Sequence, residues 1–278
     1  MTESNLESIA PCGGISPPAV FHNNLRYREV IATLRYGIEA RKGLIVLSGD
    51  SGTGKTTLIH RLLEELDPSV TCILESDPAV DFTDLLRSIL RHLSVEGDIP
   101  DSLSMADRCK AILRAERDRG HIVCLIIDNA QQLDELTLEY LMESFFPVDS
   151  ENSDKNILQV VLVGRPPVRE KLLHPWLRPL NPQLGLICEV QPLSEKDLGP
   201  YIEDQLRGWQ FPADAIDGDA LRLIFEYTSG TPRQVNELCG RAVQIAEASQ
   251  SQRITRETVT NAAREAGLSE VWRSRKTK

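Results

Sequence analysis

The chain has 278 residues, a formal net charge of -10, and 41% hydrophobic and 26% charged residues. That is the composition of a globular protein with a sizeable core, long enough for one α/β domain and a smaller appendage. The acidic balance argues against a broad nucleic-acid-coating surface and leaves room only for a local basic patch.

Six cysteines (Cys12, Cys72, Cys109, Cys124, Cys188, Cys239) are scattered without a C-x-x-C pair. Several lie in apolar runs, where cysteine acts as a small buried hydrophobe, so they read as reduced thiols of a cytosolic protein. The first 18 residues are polar and acidic before a Gly/Pro cluster, and lack the basic start and apolar core of a signal peptide. The longest strong apolar run, Ile122 to Ile127, is far short of a membrane span. The expectation is a cytoplasmic protein with no membrane insertion.

In chain order, Leu25, Val30, Ile31, Leu34 and Ile38 form the apolar face of a helix over 24–41, ended by Gly43. A β-branched run, 43–48, predicts a buried strand, and leucines at helical spacing predict a helix over 57–66. After the Asp67-Pro68 break comes a second strand over 70–74, then a helix capped by Asp81. A loop over 95–102 leads to a helix over 104–119. The uniformly apolar stretch 121–128 predicts a central strand buried on both faces. Mostly helical residues 129–146, a polar connection over 147–156 and a fourth strand over 157–163 follow. A proline-rich segment (Pro166, Pro167, Pro175, Pro179, Pro182) precedes a fifth strand over 186–190.

Strands alternating with helices imply a mainly parallel sheet covered on both faces. From Pro192 the pattern is helical only, over 194–208, 219–228, 232–249 and 255–267, with Ser194 and Thr255 as caps. Asp197, three residues after Ser194, makes a partial capping box.

Between the first strand and its helix stands Gly49-Asp50-Ser51-Gly52-Thr53-Gly54-Lys55-Thr56, a complete G-x-x-x-x-G-K-[ST] phosphate loop running into Thr57. Glycines let backbone N–H groups converge on phosphate oxygens, and the helix N-terminus adds a favourable dipole. Lys55 reaches the β- and γ-phosphates in such a loop, and the Thr56 hydroxyl ligates Mg²⁺. The third strand ends in Asp128, a Walker B position whose carboxylate holds Mg²⁺, often through water. These residues predict a site for a nucleoside triphosphate with Mg²⁺.

With these motifs in place, the chain resembles AAA+ ATPases of the general secretion pathway A type, a group that includes transposition ATPases. The matching landmarks are Leu34 to Glu39, the phosphate loop, Ile127-Asp128-Asn129-Ala130-Gln131, Leu158 to Gly164, Gln191-Pro192-Leu193-Ser194 and Ser229-Gly230-Thr231-Pro232-Arg233. They run over about residues 24 to 267. The resemblance implies a five-stranded sheet in the order 5-1-4-3-2 with a C-terminal helical lid, ATP as ligand, and self-association. It also implies that Arg233, in a Gly-x-Pro-Arg sensor 2 motif, reaches the nucleotide. The division that follows is a flexible segment 1–23, a nucleotide-binding domain 24–192, a helical lid 193–270 and a basic tail 271–278.

Three departures bear on catalysis. The family usually reads Asp-Glu-Ala-Gln where this chain has Asp128-Asn129-Ala130-Gln131. An amide orients a water but does not accept its proton. At the sensor 1 position the family tends to have Gln, whereas here Arg165 either contacts the γ-phosphate or pairs with a carboxylate. Where relatives carry an arginine-rich finger segment, this chain has Asn181-Pro182-Gln183, with Arg178 the arginine nearby. The expectation is a nucleotide-dependent switch or assembly ATPase with slow hydrolysis. The alternative is an active ATPase in which Glu135, Glu139 or Arg165 has taken over, binding DNA or a partner complex. The basic candidates for DNA are Arg165 to Lys171 and the tail Trp272 to Lys278.

Overall fold

Each apolar run becomes a strand: β1 (Leu44–Gly49), β2 (Val70–Glu75), β3 (Ile122–Ile127), β4 (Gln159–Gly164) and β5 (Leu184–Val190). The computed structural model describes residues 22, 24–76, 81–93, 104–146, 157–172 and 184–268. Segment 1–21, loop 95–102, connection 147–156, Arg178, the stretch 181–183 and the tail 271–278 lie outside the described residues. All five strands pair in parallel in the order β2-β3-β4-β1-β5, as the resemblance implies.

Strands β1, β3 and β4 are buried at every position. That explains runs without polar alternation, because both faces of a central parallel strand are covered. Leu44, Val46, Val123, Leu125 and Ile127 turn to one face and pack with Leu85, Leu113 and Phe145. These last three come from α3 (Phe82–His92), α4 (Met105–Asp118) and α5 (Glu135–Phe145). Each such side chain, taken fully out of water, stabilises the fold by about 1.5–3 kcal/mol. The other helices of this unit are α1 (Leu25–Glu39), α2 (Lys55–Glu65) and α6 (Pro167–Leu172). Helix α1 lies over β1 and β5, where Gly37 faces the side chains of Ile45 and Leu186.

Two stretches gain detail in the structure. The mostly helical stretch expected over 129–146 is a 3-10 turn (Ala130–Gln132) followed by α5. Asn129 adopts φ 55, a left-handed conformation that asparagine tolerates, and so stops a helix from starting at the strand end. Asp134 then opens α5, its carboxylate accepting from Thr137 N at 2.7 Å and Thr137 Oγ1 at 2.7 Å. The start of the proline-rich segment forms α6, with Pro167 at its first position, where a missing N–H costs nothing.

The described chain divides into two compact units at Gln191–Pro192. The second contains α7 (Glu195–Gly208), α8 (Gly218–Thr228), α9 (Pro232–Ala248) and α10 (Arg256–Glu265). Leu198, Ile202, Ile224, Leu238 and Val259 are fully buried in it. His22 also belongs to this unit: its Nδ1 lies 2.6 Å from Asp204 Oδ2, and its ring meets Tyr201 edge-on at 5.5 Å. Ser194 caps α7, and Thr255 with Thr258 forms a reciprocal capping box on α10. No helix among the described residues is long and apolar enough to cross a membrane.

The Gly230 turn explains why two of the sequence landmarks occur together. Leu193 N donates to Gly230 O at 2.9 Å, and Gly230 has φ 73. A side chain there would run into the Leu193 carbonyl. Gly230→Ala combines left-handed strain of about 1–2 kcal/mol with that overlap. It should lower unfolding free energy by about 2–4 kcal/mol in urea titration. A change within 0.5 kcal/mol, the ordinary range for surface positions, would show that the turn relaxes freely.

Candidate nucleotide site

The loop after β1 is shaped by two glycines in positive φ, Gly52 at 82° and Gly54 at 95°. A Cβ at Gly54 would meet nothing within 4 Å, so the requirement there is conformational and not one of space. Thr53 is fully buried, and its Oγ1 donates to Asp50 O at 2.9 Å, closing the turn. The Lys55 ammonium donates to Gly49 O at 2.8 Å and Asp50 O at 2.9 Å, so its charge lies against the loop backbone. Gly54 caps α2 without any side-chain hydrogen bond. Helices α1, α3, α4, α5, α7, α8 and α10 all have a side-chain acceptor at that position. The first-turn N–H groups of α2, which include those of Thr56 and Thr57, are therefore not taken by a cap, and α2 directs its positive end at the loop.

Thr56 Oγ1 donates to Asp128 Oδ2 at 2.8 Å, joining the phosphate loop to the end of β3. The other carboxylate oxygen accepts from Asn129 N at 2.7 Å. Two hard oxygen donors held this close are the donor chemistry of Mg²⁺, so the residues present fit both the metal and a triphosphate. Asn129 is exposed and follows Asp128 directly, with no carboxylate in its place.

Arg165 is exposed just beyond β4, and its backbone N donates to Gln131 Oε1 at 3.0 Å. Arg233 is exposed in the first turn of α9, in the other unit. Helix α9 likewise lacks a side-chain cap. In the segment Arg165 to Lys171, the Lys171 ammonium donates to Leu133 O at 2.6 Å, and Val168 and Leu172 are buried. That stretch is thus partly committed to packing.

Two residues without an assigned role in the sequence contribute to the site. Tyr27 of α1 is buried, and its hydroxyl donates to Thr53 O at 3.5 Å, bracing the phosphate loop from behind. Its place on the apolar face of α1 gives no local sign of this. Gln131 ties the Asp128 turn to the end of β4, and a Cβ at Gly164 would lie 2.6 Å from its Oε1. Its Nε2 is buried without a hydrogen-bond partner among the described residues. Such a donor costs about 1–3 kcal/mol, which marks a place for an ordered water or a ligand oxygen.

Residues 38–172 match the model of the AAA domain family. This stretch of the chain is an AAA domain. It is 30% identical over 257 residues to general secretion pathway protein A of Aeromonas hydrophila, covering 92% of this chain and 46% of that protein. It is 26% identical over 247 residues to a Holliday junction branch migration complex subunit RuvB from Kosmotoga olearia, covering 87% and 65%. It thus spans about half to two thirds of the length of these curated relatives. The crystal structure of Cdc6p from Pyrobaculum aerophilum superposes with TM-score 0.65 at 20% identity, over 90% of this chain and 69% of that one. That likeness is one of fold.

Gln131→Ala removes the acceptor from the Arg165 N–H. Hydrogen exchange at the Arg165 amide should accelerate by about five- to tenfold, the equivalent of one net hydrogen bond of about 1 kcal/mol. An unchanged rate would mean that the glutamine does not hold the two strand ends together.

Proposed function

We propose that this protein is a nucleotide-dependent switch that binds Mg-ATP and hydrolyses it slowly. The observation that carries the proposal is the side-chain set around Asp128. The groups suited to grip phosphate and metal are present, and the residue beside Asp128 is an amide. Lys55 and the N–H groups of Gly52 to Thr57 bind the phosphates. Thr56 and Asp128 hold Mg²⁺, and Arg233 contributes from the helical lid. Bound Mg²⁺ supplies charge neutralisation across the β- and γ-phosphates.

The Asn129 amide orients a water without accepting its proton, and losing a positioned base costs about 10²–10⁴ in rate. Arg165 serves as the γ-phosphate contact, and Arg178 is the candidate for a finger across a subunit boundary. Such a finger is worth about 10³–10⁵ in turnover where present. ATP then acts as a ligand that favours one lid position or one assembly state. The protein works in the cytoplasm and self-associates through its AAA+ faces.

A second reading is an active assembly ATPase acting on DNA or a protein complex. It is favoured by the similarity to a Holliday junction branch migration subunit and by the basic run Arg273-Ser274-Arg275-Lys276. Under that reading DNA affinity falls steeply with salt and is lost on deletion after Val271.

Nucleotide affinity and steady-state turnover, measured on one preparation beside Lys55→Ala and Asn129→Glu, test the proposal. The expected result is binding with negligible turnover, loss of binding in Lys55→Ala, and a gain of up to about 10²-fold in turnover for Asn129→Glu. Turnover of about 1 s⁻¹ or faster in the unmodified protein, abolished by Lys55→Ala, would overturn the slow-switch proposal.

A further inference from the structure

We propose that Cys72 and Cys124 form a redox-modification site, at which an oxidant of the peroxide class joins the two thiols in an intrachain disulfide. The two residues are direct register partners on adjacent parallel strands, β2 and β3. Neighbouring strands run about 4.8 Å apart. Disulfides span Cα separations of about 4.4–6.8 Å, and this spacing falls within that range. Register partners project from the same face of the sheet. Ile73 turns into the core cluster on one side, and its neighbour Cys72 therefore lies on the other.

The two thiols are not equivalent. Cys72 is half-buried on an edge strand, and Cys124 is fully buried between strands. The neighbouring Cys124 thiol lowers the Cys72 pKa below the ordinary thiol value. The Cys124 pKa is raised by its Cys72 neighbour and by burial. A half-buried thiol with a lowered pKa beside a fully buried one with a raised pKa is the arrangement of an attacking and a resolving cysteine. Burial holds the other described thiols back, with Cys109 and Cys239 pushed up to about 12.

The chemistry balances with one peroxide. The Cys72 thiolate attacks one peroxide oxygen, the O–O bond breaks, and the departing hydroxide takes a proton to leave as water. The sulfenic acid so formed is attacked by the Cys124 sulfur. An S–S bond forms, the S–O bond breaks, and the Cys124 proton leaves with the hydroxyl as a second water. Two thiols are oxidised by two electrons and the peroxide is reduced to two waters. The strands joined are those that position Asp128: Cys124 lies four residues before it in sequence, and Asp128 N donates to Glu75 O of β2 at 2.8 Å.

The test uses the full chain, reduced and then exposed to hydrogen peroxide at neutral pH under native conditions. Remaining thiols are alkylated and the protein is digested without reductant for mass spectrometry. The expected product is a linked peptide pair containing Cys72 and Cys124, two hydrogens lighter than the separate peptides and released by a thiol reductant. In Cys124→Ala, Cys72 accumulates as a sulfenic acid trapped by dimedone; in Cys72→Ala, Cys124 stays reduced. The proposal is overturned if both residues remain alkylatable thiols. It is equally overturned if Cys72 links to a different cysteine, or if the Cys72–Cys124 link forms only in denaturant. None of these outcomes depends on nucleotide binding, so the proposal stands or falls apart from the switch reading.

Discussion

The candidate site depends on the register of β4, a strand that supplies none of its phosphate or metal groups. It lies between β1 and β3, pairing Leu47 with Val163 on one side and Ile127 with Leu162 on the other. The loop after β1 and the carboxylate after β3 therefore emerge at the same level of the sheet, one strand apart. The Thr56–Asp128 hydrogen bond of 2.8 Å then spans the end of β4. Gly164 makes this possible, since a side chain there would meet Gln131 and Val168. A slip of one residue would turn the fully buried set Val160 to Val163 to the opposite faces of the sheet and separate the two motifs. Packing energy spread over the core thus fixes the placement of a few polar atoms at its edge.

Ordinary local preferences give way at that edge. Gly52, Gly54 and Asn129 adopt left-handed backbone, and α2 starts without a side-chain cap. Seven other helices begin conventionally, with Asn24, Asp81, Ser104, Asp134, Ser194, Asp217 and Thr255 each accepting a first-turn N–H. A cap is worth about 1 kcal/mol. Forgoing it leaves N–H donors and dipole available to an anion, a use that a serine or aspartate at position 54 would block.

Much of this was legible in the sequence for physical reasons. Uniform apolar runs announce central parallel strands, and cap residues followed by amphipathic periods announce helices, so Asp81, Ser194 and Thr255 fall where expected. The phosphate loop was legible because its glycines answer a purely local need. The break at Asn129 to Asp134 was not, because a strand end feeding a turn has the same composition as a helix start. The clamp between Gln131 and Arg165, and the brace from Tyr27 to Thr53, join residues far apart in sequence through tertiary register. The Cys72–Cys124 pairing is of the same kind. Each cysteine reads alone as a small hydrophobe, and only the β2–β3 register makes them partners.

Binding and turnover make different demands on such a site. Binding needs fixed N–H groups, one ammonium and two oxygen donors, all set by backbone and sheet register. Turnover needs, in addition, a group that takes a proton from water at the right place, and that depends on one side chain. Asp128 is an unsuitable substitute, because one of its oxygens accepts from Thr56 and the other from its neighbour's N–H. Under the proposed switch, the Asn129 amide affects the two functions unequally: the groups that would grip the ligand are in place while the residue beside Asp128 takes no proton. A ligand held but seldom consumed shifts conformations only by its difference in affinity between them. For a switch of this design, that difference has to come from contacts made in one conformation and not the other.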